Sequence, residues 1–261
     1  MSTFMKSLIR SFTAAALGSA LALAGCGDSK GAAADGGVDA TLTALCDTPA
    51  PGTLDFIDDM EDGDALILVR AGRGGASWYT YHDTTTGVLD PPMGTQPSMS
   101  MIKGGRCAVS QRAMRVTGSG FMDWGSGFGL DFKGTFADGT YKAAVYDASA
   151  TRGITFWARV GDPSVASIRL GVGDQWSIPD GGNCDVSIMN GPTACYDVFG
   201  TTVNMTTVWQ RFSFEWGQLS QRAFGLTRPT LDTANLMSVH FDIEPAAPVF
   251  DIWIDDVAFF Q

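Results

Sequence analysis

The sequence predicts an all-β domain, a two-sheet antiparallel β-sandwich of the jelly-roll kind. Three observations lead there. Short runs of alternating apolar and polar residues recur after Cys46, separated by clusters of Gly, Pro, Asp and Asn. No segment sustains a helical period for three turns, and only Leu231–Met237 could make one short helix. One-sided alternation is the mark of antiparallel sheets that pack one face together and leave the other in water.

The N-terminus stands outside this pattern. Lys6 and Arg10 give a positive start, and residues 14–24 form an apolar run too short to span a bilayer, the layout of a secretion signal. Leu23-Ala-Gly-Cys26 resembles a bacterial lipobox, which implies a lipoprotein signal peptide at 1–25, cleavage before Cys26 and lipid on its sulfur. An ordinary signal peptide cut in the Ala-rich stretch is the alternative. Export to the cell envelope, with the outer membrane as the expected anchorage, follows from the lipobox. Residues 26–45 lack aromatic residues and read as a flexible tether. A single domain is expected over 46–261, a size ordinary for one all-β unit.

Within that domain the strands follow in order. Ala113–Thr117 points Met114 and Val116 to one side. Gly153–Val160 sends Ile154, Phe156 and Ala158 inward, with Thr155, Trp157 and Arg159 opposite. Ser167–Val172, Val208–Trp216 and Ser238–Glu244 repeat the alternation.

Signal cleavage removes two of the 17 basic residues and none of the 28 acidic ones, leaving a formal charge of −13. That argues against nucleic acid or anionic head groups as partners and suits a neutral or cationic ligand, or a divalent metal. With Cys26 lipidated, Cys46, Cys107, Cys184 and Cys195 remain, an even number for an oxidising compartment. Three pairings are possible. Turn formers at Gly181-Gly-Asn and Asn190-Gly-Pro favour Cys184–Cys195, which leaves Cys46–Cys107 by elimination. A metal site is the other use of four cysteines, but no CxxC spacing or adjacent His supports it.

Two acidic, apolar-flanked segments bracket the domain: Phe56-Ile-Asp-Asp-Met-Glu-Asp-Gly-Asp64 and Phe250-Asp-Ile-Trp-Ile-Asp-Asp-Val-Ala-Phe-Phe260. Carboxylates in strand-like runs are costly to bury unless neutralised, and a calcium ion shared by first and last strand would do it. These segments, with Trp78-Tyr-Thr-Tyr-His-Asp83, Tyr146–Ser149, Gly153–Ala158, Trp209–Phe214 and Trp253–Val257, resemble calcium-stabilised jelly-roll carbohydrate-binding modules of the galactose-binding-domain-like fold, closest to the family 11 type. The resemblance covers about 210 residues and implies a structural calcium held by Glu61 and Asp255, with Asp59 and Asp256 as weaker candidates. Met60 stands where Phe is more usual.

A sugar site pairs aromatic platforms with charged or amide hydrogen-bonders. Trp157, Arg159, Arg169, Arg211, His240 and Asp242 fall on the polar phase of their strands, and Trp78, Tyr79, Tyr81 and Trp176, with Trp124, could supply platforms. Which strands make the concave sheet is open at this point. Trp209 and Trp253 read as packing residues. A polysaccharide hydrolase needs two placed carboxylates, and Asp242-Ile-Glu244 lacks the leading Glu of the laminarinase-type strand motif, in a chain with only three Glu. No nucleophile elbow, phosphate loop or zinc motif is present. The expectation is therefore non-catalytic binding of a β-glucan-like polysaccharide by a lipid-anchored monomer. A polysaccharide-degrading hydrolase and a surface adhesion or matrix protein are the alternatives.

Overall fold

The computed structural model describes residues 48–70, 72–97, 99–106, 110–161, 164–245 and 247–261, all within one compact unit, Val38–Gln261. Cys26, Cys46 and Cys107, and with them the lipidation site, the tether and the second disulfide, lie outside these residues.

Among the described residues fourteen strands run in order: β1 Leu54–Asp58, β2 Trp78–His82, β3 Val88–Asp90, β4 Met99–Arg106, β5 Ser110–Ser119, β6 Ser126–Asp131, β7 Gly134–Ala137, β8 Thr140–Ala143, β9 Gly153–Val160, β10 Ser167–Asp174, β11 Phe199–Asn204, β12 Gln210–Glu215, β13 Leu236–Ile243 and β14 Phe250–Phe260. They form two antiparallel sheets and one hairpin. The seven-stranded sheet runs β12-β9-β14-β5-β3, with β1 also on β14 and β4 also on β5. The five-stranded sheet runs β11-β10-β13-β6-β2, and β7 pairs with β8 alone. This is the predicted sandwich. In place of a helix at Leu231–Met237 there is one 3-10 turn, Thr233–Asn235, because β13 already begins at Leu236.

The core forms where the inner phases of the two sheets meet. Phe156 of the seven-stranded sheet meets Phe241 of the five-stranded sheet edge-on at 5.1 Å, and Phe241 stacks on Phe128 at 5.1 Å and on Trp78 at 6.2 Å. All four are buried, and each buried aromatic or aliphatic side chain contributes about 1.5–3 kcal/mol. β1 is held by Arg73, whose buried guanidinium donates two 2.9 Å bonds to Asp55 and a third to the Phe56 carbonyl. The cation also lies 5.5 and 5.6 Å from the ring centroids of Tyr146 and Phe259, which stack on each other, so the aromatic pair adds to the carboxylate in compensating its charge. Cys184 and Cys195 are disulfide-bonded, closing the loop between β10 and β11. β14 lies in the middle of the seven-stranded sheet and carries a bulge between Asp255 and Ala258, with Asp256 at φ 51°.

Candidate ligand groove

Pleating divides β2, which reads Trp-Tyr-Thr-Tyr-His. Trp78 and Thr80 turn into the core, while Tyr79 and Tyr81 stand on the outer face. The register carries that outer face across the five-stranded sheet in two rows. One runs Tyr79–Gly129–His240–Gly171–Gly200, the other Tyr81–Gly127–Asp242–Arg169. Two of the glycines are required by close approach of neighbouring side chains: a Cβ on Gly127 would lie 2.5 Å from the Tyr81 hydroxyl, and one on Gly171 would lie 2.7 Å from Val198 Cγ2. With no side chain at Gly127 and Gly129, Tyr81 and Tyr79 lie down over β6. Tyr79 meets Tyr81 at 6.1 Å and His240 edge-on at 6.5 Å, and Tyr81 stacks with Trp124 at 6.2 Å.

The result is a groove of about 940 Å³. Its walls include Met93 and Trp124 from loops and Val186, Ile188 and Met189 from the loop closed by Cys184–Cys195. Trp124 is placed by Asp83, a buried carboxylate that accepts the amides of Asp123 at 2.8 Å and Gly125 at 3.0 Å with one oxygen, and the Thr85 amide and hydroxyl with the other. Burial raises its pKa, but these donors outweigh it and hold the group at about 2.

The floor is a hydrogen-bonding surface. The Tyr81 hydroxyl donates to Asp242 Oδ1 at 2.6 Å, while Asp131 accepts the Tyr141 hydroxyl at 2.7 Å and the Tyr79 hydroxyl at 3.3 Å. Burial, reinforced by Asp242 and Asp131, drives both Tyr79 and Tyr81 well above the usual phenol range, so they remain donors. Burial also pushes Asp131 up, against the phenols that bond it. His240 bonds Ser238 Oγ at 2.7 Å through Nε2, and burial lowers its pKa against the pull of Asp242 and Asp131. The imidazole is neutral at pH 7. Among the described residues six carboxylates line the groove, Asp123, Asp131, Asp180, Asp197, Asp242 and Glu244, against two guanidinium groups. Arg169 donates to the carbonyls of Ser220 and Val198, and Arg222 pairs with Glu244. Such a surface offers apolar ring faces beside fixed hydroxyl donors and carboxylate acceptors, which suits a polyhydroxylated ligand with weakly polar C–H faces.

Of the predicted ligand residues, Tyr79, Tyr81, Arg169, His240 and Asp242 line this groove. Five others lie away from it. Trp78 is fully buried because Asp58 gives its indole N–H a partner at 2.7 Å. Trp157, Arg159 and Arg211 do occupy an outer phase, but of the other sheet. There Arg211 lies 5.0 Å from the Trp157 ring, and Arg159 lies between Trp209 and Trp253 at 5.4 and 4.5 Å. Trp176 carries Arg228 at 4.3 Å and donates to Asp232, away from the groove. Sequence reasoning missed Asp131, Tyr141 and the Val186–Met189 wall. Asp131 has a readable signal, since it shares the outer phase of Gly127 and Gly129 on β6.

The bracketing acids do come together. Ser110 Oγ lies 3.0 Å from Glu61 Oε1 and 2.7 Å from Asp255 Oδ2. Glu61 Oε1 also accepts the amides of Gln111 at 2.8 Å and Arg112 at 3.1 Å. Asp59 is turned back onto the Glu61 amide, and Asp256 sits in the β14 bulge. Among the described residues no group of three or more His, Cys, Asp or Glu side chains is assembled to hold a metal.

No protein-family model and no curated protein sequence matches the chain. Among solved structures it is similar to the family 11 carbohydrate-binding module of a cellulosomal cellulase of Clostridium thermocellum, at 15% identity and a TM-score of 0.47 over 81% of this chain and 96% of that one. It is also similar to a family 30 carbohydrate-binding module from a cellulase of the same organism, at 13% identity and a TM-score of 0.42 over 76% and 97%. An exo-beta-agarase is similar at 10% identity and a TM-score of 0.46, over 79% of this chain and 24% of the enzyme.

Proposed function

We propose that this chain binds a neutral, β-glucan-like polysaccharide without cleaving it, in the groove on the outer face of the five-stranded sheet. The observation that carries the reading is the row Tyr79–Tyr81–Trp124 lying over the Gly127–Gly129 lane, with Asp131 and Asp242 fixed beside it by phenol hydrogen bonds. Sugar rings stack on such a row while their hydroxyls exchange hydrogen bonds with the carboxylates. The acidic lining excludes polyanions. Affinity electrophoresis of the purified full chain in gels cast with mixed-linkage β-glucan, xylan or mannan tests the reading. Retardation by one of them, lost in Tyr81→Ala and Trp124→Ala, is expected. No retardation by any of them, or release of reducing sugar, overturns it.

The lipobox supports anchoring to the envelope through acylated Cys26, so that the groove faces a polymer outside the cell. The reading takes the protein as a monomer. Calcium belongs to the same reading as a structural ion. Glu61 and Asp255, joined through Ser110, fit as its two carboxylate ligands, with backbone carbonyls and water completing the six to eight oxygens the ion takes. Its role there is to neutralise the acids between the first and last strands.

A further inference from the structure

The β7–β8 hairpin stands beyond the groove and exposes two aromatic rings. Its strands are joined by Asp138-Gly139, both at positive φ (52° and 73°), the two-residue turn that matches strand twist. Phe136 and Tyr141 face each other across the pair with centroids 5.4 Å apart, edge to face. Phe136 is 73% exposed and Tyr141 is 38% exposed. A two-stranded hairpin of this size is marginal alone, yet this one is fixed at its base. The Gly134 amide donates to the Gly74 carbonyl at 2.9 Å, and the Ala143 amide donates to Asp180 Oδ2 at 2.7 Å. Gly134 has no room for a side chain, since a Cβ would fall 2.1 Å from the Gly75 carbonyl oxygen and 2.4 Å from the Tyr141 ring.

Tyr141 connects this pair to the groove. Its hydroxyl and that of Tyr79 share the two oxygens of Asp131, at 2.7 and 3.3 Å. Ala143 and Asp180, which anchor the hairpin, both line the groove. The aromatic rings thus continue from Trp124 through Tyr81 and Tyr79, across Asp131, to Tyr141 and Phe136. Phe136 is held in place without being buried, which leaves its outer face as a preset platform.

We propose that the β7–β8 hairpin is an outer subsite of the groove, where Phe136 stacks on a sugar ring of the same neutral polysaccharide chain after it leaves the floor at Asp131. This rests on the polysaccharide reading of the groove. The occupant is the chain already bound, because the aromatic row is continuous and the shared Asp131 leaves no break between the two parts.

The test compares wild type, Phe136→Ala and Phe136→Trp, each as the full chain. Binding is measured by calorimetry with the polysaccharide that retards the wild type and with oligosaccharides of increasing length cut from it. Phe136→Ala is expected to weaken binding of the polymer and the longer oligosaccharides by roughly three- to tenfold, leave the shortest bound oligosaccharide unchanged, and be rescued by Phe136→Trp. Equal binding by wild type and Phe136→Ala at every length overturns the subsite alone. Equal weakening at every length also overturns it, because the ring would then act on the groove as a whole. Failure of the wild type to bind β-glucan, xylan or mannan overturns the groove reading and the subsite with it.

Discussion

The indole N–H of Trp78 donates to Asp58 Oδ2 at 2.7 Å, tying the first strand of the five-stranded sheet to the first strand of the seven-stranded one inside the core. Asp58 Oδ1 accepts the Met60 amide at 2.8 Å. Burial nevertheless dominates and raises this carboxyl to about 7, against an ordinary 3.8. The native state therefore holds a proton between those values that the unfolded chain has released. This group's contribution to stability is complete below about pH 4, declines as pH rises and is gone above about pH 7, a span on the order of 4 kcal/mol. Urea midpoints measured from pH 4 to 8 should fall relative to those of Asp58→Ala. A flat difference between the two would remove Asp58 as the source. The Asp58→Ala variant itself should lose roughly 2–4 kcal/mol near pH 5, since it orphans a buried indole N–H and an amide.

Ser110 sits between Glu61 and Asp255, its hydroxyl oxygen 3.0 Å from one and 2.7 Å from the other, with a single proton to give. Two carboxylates this close repel unless a donor or a cation lies between them. Calcium is expected to raise the thermal midpoint and a chelator to lower it, with both effects lost in Glu61→Gln and Asp255→Asn. Ser110→Ala should destabilise the chelator-treated protein by about 1–3 kcal/mol by removing the donor Asp255 uses in the core. Calcium should recover part of that loss. Identical melting with calcium and with chelator would leave Ser110, the Gln111 and Arg112 amides and local packing as the whole account of these acids.

The pattern of strands could be read from alternation, and so could the outward positions of Arg169, His240 and Asp242, because pleating fixes the phase within a strand; Tyr79 and Tyr81 entered as platform candidates beside Trp78, with no phase assigned. The same logic put Trp157, Arg159 and Arg211 on an outer face correctly, but the sheet they belong to depends on pairing between strands far apart in sequence. Trp78 was unreadable for a related reason: its polar partner, Asp58, is 20 residues away and in the other sheet. The groove walls were hidden because loop positions follow from tertiary contacts, such as those of Asp83, and carry no period. The pairing of Glu61 with Asp255 came from the resemblance, and the alternation alone does not contain it; the Ser110 hydroxyl between them was read from neither.

The charge of the groove predicts its ligand preference. Among the described residues six carboxylates line the groove against two guanidinium groups, and Arg222 and Glu244 offset each other, so the net field is that of the carboxylates. A neutral polysaccharide neither gains nor loses by screening. Its Kd should change less than about twofold between roughly 20 and 500 mM NaCl. Polygalacturonate or another polyanion should show no binding at low salt, where repulsion is strongest. Tight, salt-sensitive binding of a polyanion would contradict the assignment of the groove floor.

Asp83 never needs to touch the ligand to govern its binding. Four donors converge on it, and two of them are the amides on either side of Trp124. Replacing Asp83 by Ala releases the segment 121–125 and with it the ring that stacks on Tyr81. Polysaccharide affinity should drop by about tenfold or more, comparable to Trp124→Ala, and the double variant should lose little beyond either single change. Folding carries the same dependence. Because the native pKa is about 2 and the ordinary value 3.8, the stability Asp83 supplies is present above about pH 4 and is lost as pH falls toward 2. Acid unfolding followed by tryptophan fluorescence should therefore shift toward the Asp83→Ala curve only below pH 4. Additive losses of affinity in the Asp83→Ala/Trp124→Ala pair would show that Asp83 acts elsewhere in the groove.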